Sequence, residues 1–162
     1  TYLMPRPFSQ TVLKLKIVSN DMIDDIIDDL NKGNKNASMS LAKSLKSNVL
    51  DTGASIISVR FKAKSHWRFV DKGRKPGKGI PISRMHEWTK IKGLRPRDLK
   101  TGSFAKNTPS NRRAMGYLMN RKIKHFGIEP FDFVQMPRRV TLDKYRADIA
   151  KAVSEDITDN LT

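Results

Sequence analysis

The chain has no cysteine. That absence excludes disulfides, thiolate metal sites and thiol-based catalysis. Long apolar runs are missing too: they reach only a few residues, such as Val12-Leu13 or Ile26-Ile27, so no segment spans a bilayer. No charged segment followed by an apolar stretch opens the chain, and no secretory signal is expected in it. Hydrophobic residues amount to 38 % of 162, which is lean, but their periodicity argues against wholesale disorder. The length suits one domain with a real core and falls short of two. Acidic side chains are the scarcest relative to their counterpart, with 16 Asp and Glu against 32 Lys and Arg, a net charge of +16.

The cationic excess is concentrated. Residues 1–59 hold seven basic and six acidic side chains, residues 60–139 hold 22 and five, and residues 140–162 hold three and five. A middle segment at +17 attracts polyanions and repels copies of itself unless something neutralises it.

Met4-Pro5-Arg6-Pro7 predicts an extended arm over residues 1–10, because each proline disfavours helix at its predecessor. Leu13, Leu15 and Ile17 alternate with Lys14 and Lys16, which predicts a half-buried strand over 11–18. Met22, Ile23, Ile26, Ile27 and Leu30 then fall within about 140° of a helical wheel. Asp21, Asp24, Asp25, Asp28 and Asp29 take the other side, Asn20 can cap and Gly33 can stop the helix. Such an acidic face reads as solvated or partner-facing rather than as a metal site. A second amphipathic helix is expected over 37–50 (Leu41, Ala42, Leu45, Val49), closed by Gly53. Ile57, Val59, Phe61 and Ala63 alternate with cations, and HWRFV at 66–70 continues the pattern, so 55–70 reads as a hairpin. Residues 71–81 and 94–111 read as loops, separated by a short helix capped by Ser83 and ending at Gly93. The next helix, 112–126, sets Ala114, Met115, Leu118, Met119, Ile123 and Phe126 against Arg113, Arg121 and Lys124, and Gly127 ends it. FDFVQM reads as a strand, and a final helix capped by Thr141 buries Leu142, Tyr145, Ile149, Val153 and Ile157. The predicted class is α+β: a small antiparallel or mixed sheet on amphipathic helices, with a long C-terminal helix, residues 11–162 forming one domain.

Catalytic constellations do not emerge. His66, His86 and His125 stand in no ligand spacing, and no carboxylate pair converges convincingly, although Asp71 and Glu87 are candidate partners for arginines. No catalytic residue, cofactor or metal is expected. Gly73-Arg-Lys-Pro-Gly77-Lys78-Gly79 approaches a P-loop but is one residue short, with Gly79 where a hydroxyl must hold magnesium. Its Lys72, Arg74, Lys75 and Lys78 suit phosphate contact without base readout, as do Arg113, Arg121 and Lys124 on the later helix. Trp67 and Trp88 read as core anchors rather than stacking platforms. Helix-turn-helix, zinc-finger and RNP patterns are missing, so recognition of a specific base sequence is not expected.

The order of pieces is itself informative. Trp67-Arg68-Phe69-Val70-Asp71-Lys72-Gly73-Arg74-Lys75-Pro76-Gly77 leads to Pro81-Ile82-Ser83 and a helix carrying Trp88, then Ile123-Lys-His-Phe-Gly127-Ile128 and Pro130-Phe131 before the last helix. Over roughly residues 40–160 this resembles the tail-completion or neck proteins of tailed bacteriophages. In that family an aromatic-Val-Glu-Phe-Gly-Thr stretch precedes the proline-glycine loop; here Asp71 replaces Glu, Arg74 replaces Thr, and Asp132 splits the aromatic pair. The resemblance implies a non-enzymatic virion protein, a connector or tail terminator. It implies a homo-oligomeric ring of about six or twelve copies, joined to portal or connector and tail tube, through which double-stranded DNA passes. The acidic face Asp21, Asp24, Asp25, Asp28 and Asp29 is then expected against the basic middle of a neighbouring copy. The alternative class is a non-specific basic nucleic-acid-binding protein of ribosomal or nucleoid type.

Overall fold

A computed structural model describes residues 8–35, 39–51 and 56–161. The order is α1 (Ser9–Lys32), a 3-10 turn (Ala42–Ser44), β1 (Lys46–Asp51), β2 (Ile57–Lys62), α2 (Trp67–Asp71), α3 (Ile82–Ile91), α4 (Pro109–Phe126) and α5 (Gln135–Leu161). This is an α+β fold with a two-stranded antiparallel sheet and a long C-terminal helix.

Residues 11–18 are helical, not a strand. Thr11, Val18, Met22, Ile26 and Leu30 are buried at helical spacing, while Leu13 and Ile17 point outward, 57 % and 45 % exposed. The alternation of Leu13, Leu15 and Ile17 thus coexists with a 3.6-residue period that starts earlier and persists longer. What fixes the helix start is tertiary. Asp156 of α5 accepts hydrogen bonds from the backbone N–H of Gln10 (2.9 Å) and Thr11 (2.7 Å), satisfying donors that a helix leaves orphaned. Ser9 and Gln10 therefore belong to α1, Phe8 stands at its N-cap, and residues 1–7 of the expected arm lie outside the described residues.

α5 runs antiparallel along α1. Its contacts descend in order: Asp156 to Thr11, Asp148 to Lys14, Tyr145 to Asp21 and Thr141 to Asp25. α5 begins six residues before Thr141, which is a buried mid-helix residue and not a cap. Its buried stripe is Pro137, Thr141, Ala152 and Asp156, with Leu142 and Ile157 turned to solvent instead.

The helix expected over 37–50 is also replaced. Lys46–Asp51 pairs antiparallel with Ile57–Lys62, Val49 opposite Val59, and Ser47 Oγ meets Ser19 Oγ at 3.0 Å to seat the sheet on α1. Ser44, Ser47 and Asn48 hold a helix weakly, and β2 offers an edge. Gly53 lies outside the described residues. HWRFV is not the partner strand: Trp67–Asp71 is a short helix. FDFVQM is not a strand either, because Phe131–Val134 turns and Gln135 already opens α5. In that turn Phe133 drops into the core of Met22, Ile26, Leu30 and Leu41, with Trp67, Val70 and Phe131 packed around it. Buried Asp71 holds the turn, its Oδ1 accepting from the N–H of Val134 at 3.2 Å.

α3 and α4 pack on one another, away from this core. Buried Met85 of α3 meets Gly116 of α4, and the hydroxyl of buried Thr89 donates to the carbonyls of His86 (2.9 Å) and Arg112 (3.3 Å). Pro81, not Ser83, precedes the first turn of α3, and Trp88 is half-buried. Thr108 caps α4 by accepting from the N–H of Asn111, and of the stripe expected on α4 Met115, Met119 and Ile123 are half-buried. Leu118 and Phe126 are exposed, and Gly116 is the buried residue.

Candidate polyanion interface

From Lys72 to Ile128 the chain carries sixteen Lys and Arg against Glu87 and Asp98. This stretch is the α3–α4 lobe with its loops, so the charge asymmetry of the sequence becomes a spatial one. Two glycines tie the lobe together. Arg74 and Ile128 exchange both backbone hydrogen bonds at 2.8 Å, and their neighbours Gly73 (φ +69°) and Gly127 (φ +76°) are in left-handed conformations. A Cβ on Gly73 would stand 2.3 Å from the Ile128 carbonyl oxygen, and one on Gly127 2.1 Å from that of Arg74. Only glycine lets the two segments cross this closely.

The crossing delivers the 72–80 loop to the C-terminal half of α4. Gly77 N–H donates to the Lys124 carbonyl at 3.0 Å, and Ile80 N–H to Asn120 Oδ1 at 2.7 Å. The Arg74 guanidinium closes the loop on the Lys78 carbonyl (2.7 Å) and lies 5.8 Å from the Phe69 ring centroid. Three N–H groups that a phosphate-cradling loop would present are therefore already used, which fits the failed P-loop pattern.

Of the seven expected contact residues, Arg121 and Lys124 line a hollow on α4 with Tyr117, Asn120 and His125, and the loop that carries Arg74, Lys75 and Lys78 is tied to the same stretch of α4 through Gly77 and Ile80. Arg113 shares the Tyr117–Lys124 face but lies about 16 Å along the axis. Among the described residues none of these six forms an ion pair. Lys72 differs: its ammonium turns to Asp71 (3.2 Å) and Asp132 (3.5 Å). The hydrogen bond to Asp71 is the main cause of its raised pKa. Asp71 thus pairs with a lysine rather than an arginine, while exposed Glu87 sits 3.6 Å from Arg84.

The acidic face of α1 is divided by α5. Asp21 accepts from the Tyr145 hydroxyl and from Lys144 (3.2 Å), in that order of effect, and its pKa is lowered. Asp25 accepts from Thr141 at 2.9 Å. These two take part in the intramolecular seam. Asp24 and Asp28 are exposed and Asp29 is half-buried.

One basic feature was not singled out by sequence reasoning. The 94–108 loop contains a small hairpin: Arg97 and Phe104 pair as an isolated bridge, and Asp98 Oδ1 accepts from the N–H of Lys100 (2.7 Å) and Thr101 (3.2 Å). The guanidiniums of Arg95 and Arg97 lie 5.6 and 4.6 Å from the Phe104 ring centroid. Asp98 and Gly102, four residues apart between Arg-x-Arg and Phe, were the legible turn signal.

Compared with protein-family models, with curated proteins and with solved structures, the chain finds no match in any of the three.

Proposed function

We propose that this protein is a structural subunit of a tailed-bacteriophage virion, one copy of a homo-oligomeric ring at the head–tail junction or tail terminus, joining portal or connector to tail tube. The observation that carries the reading is the surface left uncovered by a single copy. Large apolar side chains contribute on every helix of the two long pairs: Leu13 and Ile17 on α1, Ile82 and Ile91 on α3, Tyr117, Leu118 and Phe126 on α4, Met136 and Val140 on α5. Such surface is covered in assemblies rather than left to water. The lobe's unpaired cations supply a wall that holds polyanionic DNA without reading its bases.

Light scattering of the purified chain at low and high salt, with negative-stain imaging, tests this. A discrete closed oligomer of about six or twelve copies is the expected result. The non-specific nucleic-acid-binding alternative is favoured by the same unpaired cations on α4 and its loop. It predicts a monomer at every salt concentration that binds any duplex with a steep salt slope, and that outcome replaces the ring.

A further inference from the structure

We propose that the hairpin of residues 95–106 is a separate contact for double-stranded nucleic acid, a basic ribbon that lies in the major groove with Leu99 leading. The inference depends neither on ring formation nor on the α4 face. The hairpin is ordered by its own bonds: Asp98 N–H to Ser103 O (2.8 Å), Gly102 N–H to Asp98 O (2.9 Å) and Ala105 N–H to Pro96 O (3.0 Å). Its one acid, Asp98, is used in forming the turn. Its four cations, Arg95, Arg97, Lys100 and Lys106, form no ion pair among the described residues. Phe104, itself 57 % exposed, holds both guanidiniums against its ring, which preorganises two phosphate-binding forks on one side of the ribbon. At the tip Leu99 is fully exposed.

The major groove, about 12 Å wide, admits a two-stranded ribbon. Cations along the ribbon then reach phosphates on the groove's rims, while the tip meets the base edges, where thymine methyl groups are the apolar surface. A protein pocket for Leu99 is the rival occupant. Charge favours the duplex, which offers a phosphate every ~1.7 Å along its axis to all four cations at once.

The test is binding of the full chain to a mixed-sequence duplex, followed by fluorescence anisotropy between 50 and 200 mM salt. Replacing all four cations (R95Q, R97Q, K100Q, K106Q) should lower the slope of log K against log salt by about 3 to 4, at about 0.9 per phosphate contact, with an unchanged circular dichroism spectrum. Leu99→Ala should weaken binding severalfold and leave that slope in place. Methyl green, which occupies the major groove, should compete, and a minor-groove ligand should not. An unchanged slope in the four-fold variant overturns the proposal, as does a wild-type chain that does not bind the duplex. Leu99→Asp abolishing self-assembly while the slope stays intact also overturns it, by assigning the tip to a protein pocket.

Discussion

At Gly127 the carbonyl oxygen of Arg74 occupies the place where a side chain would begin. Alanine there meets a backbone atom at 2.1 Å in a conformation that L-residues avoid, and neither obstacle is a flexible side chain that can step aside. Gly127→Ala should cost roughly 2 to 4 kcal/mol at the crossing. The local readout is hydrogen exchange, in which the amides of Arg74 and Ile128 should lose protection first, ahead of those in α1 and α5. Equal protection in variant and wild type would show that the crossing can relax. Gly127 was legible in the sequence as a helix stop, because a glycine after an amphipathic run is a local signal. Its second role was not, since the partner strand lies more than fifty residues away and leaves no mark on the local pattern. Asp156 was hidden for the same reason: nothing in its neighbourhood says that it caps another helix.

Elements fared according to how far their partners lie. That α4 and α5 are helices was readable from their own periods, but which face they bury was only partly so: Met115, Met119, Ile123, Tyr145, Ile149 and Val153 are half-buried, whereas Leu118, Phe126, Leu142 and Ile157 face solvent. β1 and the first turns of α1 were exchanged in type, because a strand needs an edge and a helix start needs a cap, and both are supplied by distant chain. The α1–α5 seam carries a pH dependence of definite sign. Burial opposes ionisation of Asp156, but hydrogen bonds from Thr11 and then Gln10 outweigh it, so its pKa lies below the usual carboxylate value, as does that of Asp21. Lowered folded-state values mean that the seam's stability is complete above the unfolded value of about 4 and is lost as pH falls through the folded values. Melting temperature should therefore hold from pH 7 to about 5 and drop below about 4. Asp156→Asn should begin about 1 to 2 kcal/mol less stable and show a shallower acid decline. An identical decline in both proteins would move the acid sensitivity elsewhere.

Over the whole molecule, charge and core are segregated. The apolar cluster lies among α1, the chain flanking the sheet, α2 and the 131–134 turn, and the net positive charge lies in the α3–α4 lobe, which holds sixteen Lys and Arg against two acids. The sequence profile already showed the excess in residues 60–139, but its confinement to one lobe depends on the crossing at Arg74 and Ile128. Self-repulsion within that lobe should be relieved by counterions. Raising sodium chloride from ~10 mM to ~150 mM should lift the melting temperature by a few degrees, measurable by scanning fluorimetry. A flat response would mean that the lobe's charges are too far apart to interact.

The paired backbone bonds between Arg74 and Ile128 also close residues 75–127 into a loop whose two ends stand about 5.5 Å apart. In topological terms the lobe is a cassette, closed at the Arg74–Ile128 crossing and tied again to the end of α1 by Lys92 Nζ, which donates to the Asn34 carbonyl at 3.0 Å. Its length is uncoupled from the geometry of the chain on either side. Doubling the connection between α3 and α4 would add only about 0.6 kcal/mol of closure entropy and would move neither α1 nor α5.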